Sequence, residues 1–155
     1  MSDGTLRIDL QNESGLPGVP DVALFERWVS AALQHDYREL EQTIRIVDEA
    51  ESQALNRDYR GRDKPTNVLS FPAELPSDLI GYDCLGDLVI CAPVVAEEAR
   101  VQGKPPQAHW AHLVVHGMLH LQGHDHRNEA EAAEMEALEI EILRTLGHTN
   151  PYLSP

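Results

Sequence analysis

Pro106-Gln107-Ala108-His109-Trp110-Ala111-His112-Leu113-Val114-Val115-His116-Gly117-Met118-Leu119-His120-Leu121-Gln122 reads as one helix, and the rest of the chain organises around it. Proline suits the first helical turn, where its missing N–H is no loss. Beyond it the segment is apolar on nearly every side that is not histidine, the pattern of a helix at the buried centre of a domain. Upstream, the alternation of Leu6, Ile8 and Leu10 predicts a strand at 5–11. Asp21 caps a predicted helix reaching about His35, with Val22, Phe25, Val29 and Leu33 on one stripe. Thr43 to Val47 reads as a second strand, and Asp48 with Glu51 opens a helix to about Tyr59. Further strands are expected at Asn67 to Phe71 and Leu85 to Cys91, then a helix from Pro93 to Gln102 closed by Gly103. A last helix starts at Asn128, carries Met135, Leu138, Ile142 and Leu146, and stops at Gly147. Mixed strands and helices imply an α+β or α/β layer fold. With no repeat, low-complexity tract or long linker, residues 1–155 read as a single domain.

Charge sets a constraint on partners. The 155 residues hold 12 Lys+Arg against 26 Asp+Glu, a net charge of −14, while 42% apolar content is enough for a core. An acidic chain is repelled by phosphate backbones unless its few cations are gathered in one place. The longest apolar run, Leu88 to Ala96, has nine residues and contains Pro93, far short of the roughly 20 that a membrane span needs. The opening Met1-Ser2-Asp3-Gly4 lacks the basic-then-apolar order of a signal peptide, so no export is expected. Cys84 and Cys91 fall seven apart in a segment read as a strand and should face opposite ways. No disulfide and a cytoplasmic location are therefore expected.

Six of the eight histidines lie between positions 109 and 126. His109, His112, His116 and His120 share one helix face at spacings of 3, 4 and 4. With Zn–N bonds of about 2.0–2.1 Å, imidazoles one turn apart can share an ion; those two turns apart, at roughly 12 Å of rise, cannot. His116 and His120 are the favoured pair, because Gly123 can take the positive φ that stops the helix and let His126 turn back as a third ligand. Three histidines leave a fourth position open, as in catalytic zinc. His109 and His112 read as packing or supporting residues, and His124 and Asp125 as supporting or substrate-contacting groups or as simple turn residues. The spacing is that of the metzincin helix and turn, H-E-x-x-H-x-x-G-x-x-H, except that Gly117 stands where the glutamate base belongs. That departure argues against peptide hydrolysis.

His116 to His126 resembles the signature of the YbeY family of bacterial metal-dependent endoribonucleases. Tyr59-Arg60-Gly61-Arg62-Asp63-Lys64-Pro65-Thr66-Asn67-Val68-Leu69-Ser70-Phe71-Pro72 and Leu85-Gly86-Asp87-Leu88-Val89-Ile90 are similar to two further motifs of that family, and the likeness runs from about Thr43 to Tyr152. The resemblance implies a small α+β domain, a mixed four-stranded sheet packed on helices, and Zn²⁺ held by His116, His120 and His126. It implies a functional role for Arg60, which makes that residue the catalytic candidate. It also implies single-strand-specific cleavage of ribosomal RNA, 16S rRNA 3′-end maturation, ribosome quality control, and association with a small-subunit ribosomal protein and ribosome-linked GTPases, without membrane or DNA partners. The alternatives are a metalloprotease-like zinc hydrolase and an assembly factor whose zinc is mainly structural.

The basic segment answers the charge objection in part, since Asp58 and Asp63 leave it a local excess of two positive charges. Arg57, Arg60, Arg62 and Lys64 place four of the twelve cations within eight residues. Guanidinium forks suit phosphate oxygens, and zinc would add positive charge beside them. On this reading Arg60 stabilises charge developing on the phosphoryl group while Arg62 and Lys64 bind the strand, with water or the RNA 2′-hydroxyl as nucleophile. The six glutamates from Glu129 to Glu141 read as a solvated face, suited to docking a basic protein.

Overall fold

The computed structural model describes residues 5–35, 37, 39–73, 84–125 and 127–153. Among them the chain runs β1 (Thr5–Asn12), α1 (Val22–Ala32), β2 (Glu39–Val47), α2 (Glu49–Arg60), β3 (Val68–Pro72), β4 (Gly86–Cys91), α3 (Ala92–Gln102), α4 (Pro106–Leu121) and α5 (Glu129–Thr145). This is an α+β domain with a mixed sheet of order β1-β2-β4-β3, in which β3 alone runs antiparallel to its neighbour.

β2 starts four residues before the expected Thr43, at Glu39, and pairs with β1 from there to Ile46. Gln42 disguised the extension. It occupies a core position between Leu40 and Ile44, fully buried, where a polar residue breaks the apolar alternation. Its amide donates to the Gly86 carbonyl at 2.9 Å and to the Thr43 carbonyl at 3.0 Å, which lowers the cost of burying it. α1 ends at Ala32 rather than His35, and its buried stripe is Phe25, Trp28, Val29 and Ala32. Val22, expected on that stripe, is exposed. Trp28 takes the space instead, edge-on to Phe25, which in turn meets Trp110 of α4.

From Leu88 to Cys91 β4 is buried on both faces, which explains the unbroken apolar run there. Leu88 and Ile90 join the main core under α1 and α4, while Val89 and Cys91 join Val47 and Leu69 in a smaller cluster covered by Leu55 of α2 and Val94 of α3. Cys91 ends the strand and Cys84 lies before it; both are free thiols. α4 contacts α1, α3, α5, β3 and β4, and all of its non-histidine residues from Trp110 to Leu119 are buried. Among the described residues no helix is long and apolar enough to cross a membrane.

Candidate active site

The C-terminal end of α4 opens into a cleft of about 650 Å³. β3 supplies one wall through Ser70 and Phe71, the end of α2 supplies Tyr59 and Arg60, and the turn after α4 supplies Gly123, His124, Asp125 and Arg127. His116 and His120 face this space one helical turn apart, their Nε2 atoms approaching to 3.1 Å. Tetrahedral zinc with bonds of about 2.0–2.1 Å sets neighbouring ligand nitrogens about 3.3–3.4 Å apart, so this donor pair suits one divalent ion. Gly123 has φ +98°, the left-handed conformation the turn requires. His126 lies outside the described residues.

Gly117 points the other way. A Cβ on it would lie 2.7 Å from Leu88 Cδ2 and 3.4 Å from both Ser70 Oγ and Val68 Cγ2, and the Ser70 hydroxyl donates to the Gly117 carbonyl at 3.3 Å. The helix therefore sits directly on β3 and β4 at this point. A glutamate here would meet the sheet rather than the cleft, so the missing base of the metzincin pattern has a packing reason.

Behind the histidines lies a residue that the sequence reading misplaced. Glu139 belongs to the row of glutamates read as a solvated face, yet it is 1% exposed. His116 Nδ1 donates to its Oε1 at 2.9 Å; His112 Nε2 and the Tyr152 hydroxyl donate to its Oε2 at 2.7 and 2.6 Å. Burial pushes this carboxyl up, but the three hydrogen bonds outweigh it and hold the group at about 2. Burial, reinforced by Glu139, pushes the Tyr152 phenol well above its usual range. An ionised carboxylate only accepts, so His116 carries its proton on Nδ1 and presents the Nε2 lone pair to the cleft. The clue was available in spacing: Glu139 falls four after Met135 and three before Ile142, inside the apolar stripe of α5.

His109 makes the parallel arrangement one turn back. Its Nε2 donates to Glu98 of α3 at 2.9 Å, and Asn67 donates to the same carboxylate at 3.0 Å. Burial raises Glu98, and these hydrogen bonds more than reverse the effect, leaving it below the usual carboxylate range. His109 and His112 are thus tied up by carboxylates on neighbouring helices.

Of the four clustered cations, Arg60 alone lines the cleft, and it makes no ion pair among the described residues. Arg57 pairs with Asp58 and Asp63. Arg62 and Lys64 are exposed and lie outside the cleft lining. The loop carrying them is tied to α2: Asn56 donates to the Lys64 carbonyl at 2.8 Å, and the Ser52 hydroxyl donates to the Thr66 carbonyl at 3.0 Å. Arg127 adds a second guanidinium to the cleft, donating to Asp125 at 2.8 Å. As a single exposed arginine after the histidine motif it carried no sequence signal.

Comparison with known proteins identifies the family. A protein from Pseudomonas entomophila (strain L48) named Endoribonuclease YbeY is 56% identical over 147 residues, covering 95% of this chain and 93% of the relative. A solution structure from Thermotoga maritima, 23% identical, superposes with a TM-score of 0.52 over 96% of this chain and 99% of its own, and bears on the fold alone. The family model described as Endoribonuclease YbeY matches residues 11–147, and with nearly the whole chain so matched, the protein belongs to the YbeY family of RNA-cleaving hydrolases.

Proposed function

We propose that this protein is a zinc-dependent endoribonuclease that cuts single-stranded segments of ribosomal RNA, in 16S rRNA 3′-end maturation and ribosome quality control in the cytoplasm. The observation that carries the metal reading is the convergence of His116 and His120 Nε2 at 3.1 Å in the same cleft as Arg60. His126 completes the ligand set on the spacing of the motif. Zinc bound there supplies Lewis acidity toward phosphoryl oxygens and a competent nucleophile near neutral pH. Glu139 holds the His116 ring in the tautomer and orientation that a ligand needs. Arg60, unpaired by any described carboxylate, stabilises negative charge as it grows on the phosphoryl group. Arg62 and Lys64 extend the positive path along which the strand approaches, and Arg127 adds a guanidinium to the lining of the same cleft.

The acidic residues of α5 other than Glu139, together with the net charge of −14, favour approach of RNA through this cleft and docking of a basic small-subunit ribosomal protein on α5. Ribosome-linked GTPases are further expected partners. Peptide hydrolysis is disfavoured because Gly117 leaves neither a base nor room for one.

The test compares wild type, His116→Ala and Arg60→Glu on ribosomal RNA, with zinc content and circular dichroism measured alongside. Arg60→Glu should keep its zinc and lose cleavage by roughly 10²–10³-fold. Undiminished cleavage by a folded, zinc-free His116→Ala protein would sink the catalytic-metal reading. Unfolding on chelation would instead mark the zinc as structural. A 5′-phosphate product indicates attack by water, a 2′,3′-cyclic phosphate attack by the 2′-hydroxyl.

A further inference from the structure

Tyr59 is the last residue but one of α2 and is 68% exposed. Among the described residues, it is the one exposed large apolar or aromatic side chain that lines the cleft. Its ring meets Phe71 of β3 at 4.9 Å between centroids and 72° between planes. That contact anchors the ring from one side, while two thirds of the residue stays in water, so ring surface remains free. Leaving so much aromatic surface in water costs free energy unless something covers it. The group next to it in the chain is Arg60, whose guanidinium suits a phosphate, and the cleft around both mixes polar residues with Val68, Leu69, Phe71 and Pro72.

An unstacked nucleotide offers the two complementary surfaces, an anionic phosphate and a flat π-face. Single-stranded RNA is recognised through such splayed bases stacked on aromatic side chains, and every base has a face to offer. We propose that Tyr59 is a base-stacking residue: it takes the base of a nucleotide beside the cut, with Phe71 as backing, while Arg60 takes the adjoining phosphate. This inference rests on RNA cleavage in this cleft and adds a reason for single-strand preference. A paired base has both faces occupied by its neighbours and cannot reach the ring.

The experiment uses zinc-loaded, full-length protein and a mixed-sequence single-stranded RNA. The cut is mapped first, and each of the three nucleotides on either side is then replaced by an abasic ribonucleotide. In wild type, one abasic position should raise KM by about 5- to 150-fold, the range that base–aromatic stacking covers, with little change in kcat. Tyr59→Leu keeps apolar cover over Phe71 but lacks a π-face. It should raise KM on intact RNA by a comparable factor and abolish the abasic penalty. Tyr59→Phe keeps the ring and should retain that penalty. Thermal melts establish that each variant folds. Anisotropy with a cleavage-resistant phosphorothioate version of the same RNAs gives binding independently of the chemistry. A Tyr59→Leu protein with the KM of wild type, or with the abasic penalty intact, overturns the stacking role alone. A zinc-loaded wild type that binds none of these RNAs and cuts none overturns the proposed function as well.

Discussion

Replacing Glu139 by glutamine changes one atom of a buried acceptor, and the hydrogen bonds around it dictate the outcome. Oε2 accepts from two donors, His112 Nε2 and the Tyr152 hydroxyl, while Oε1 accepts from His116 Nδ1. A glutamine has one oxygen, which satisfies most donors by taking the Oε2 position. Its NH₂ then faces His116 Nδ1, and the imidazole must shed that proton and carry one on Nε2 instead. His116 can then no longer offer Nε2 to an ion. Loss of such a partner costs about 10- to 100-fold in metal affinity. Hydrogen bonds to a charged group contribute about 1.5–3 kcal/mol each against about 0.5–1.5 for neutral ones, and glutamine keeps two of the three and reverses the third, all in neutral form. A loss of about 2–4 kcal/mol follows, which for a chain of this size lowers Tm by on the order of 10 °C. Zinc affinity is read by competition against a chromophoric chelator, and Tm by circular dichroism on the metal-loaded protein. Glu139→Gln binding zinc with wild-type affinity, while folded, would refute the tautomer argument.

Three further outcomes follow from the packing. Gly117→Ala, whose methyl meets Leu88 at 2.7 Å, should destabilise by about 1–3 kcal/mol in urea despite the better helix propensity of alanine, whereas equal or higher stability would mean that α4 can lift off the sheet. Trp28→Ala should cost about 3–5 kcal/mol, since the ring is 1% exposed and edge-on to Phe25; urea titration checks it. Glu98 is held below its ordinary value near 4.5, so its contribution is present above that pH and disappears as pH falls further. The stability gap between wild type and Glu98→Gln should accordingly shrink from pH 6 to pH 3, and a gap independent of pH would show that the His109 and Asn67 contacts are not charge-assisted.

Local signals carried a great deal of this protein. Asp21, Asp48 and Asn128 accept from backbone N–H groups three residues on, at 3.0, 2.9 and 2.9 Å, as their capping spacings require. α4 was legible because an apolar run interrupted only by histidines has no stable place outside a core, and the convergence of His116 and His120 follows from helix pitch. The family motifs supplied Arg60. These features depend on neighbours a few residues apart, and such distances are set by the backbone geometry of one element.

What lay beyond the string depends on contacts between elements. Gln42 hid the start of β2 because its acceptor is the Gly86 carbonyl, 44 residues away. Trp28 replaced Val22 in the core because α1 is rotated to suit Phe25 and Trp110 rather than its own average hydrophobicity. Glu139 and Glu141 are two residues apart on one helix, yet the first is buried under His112, His116 and Tyr152 while the second pairs with Arg144 in solvent. Spacing from Met135 and Ile142 puts the first on the apolar stripe of α5, but nothing in the string names the donors that receive it. Burial of a charge is tolerable only where donors from other elements replace its water, and where those donors stand is a property of the assembled domain. The convergence of His116 and His120 was thus written in the chain, whereas the carboxylate bonded to His116, the glycine packed on the sheet, and the tyrosine beside Arg60 acquired their meaning from what the fold set against them.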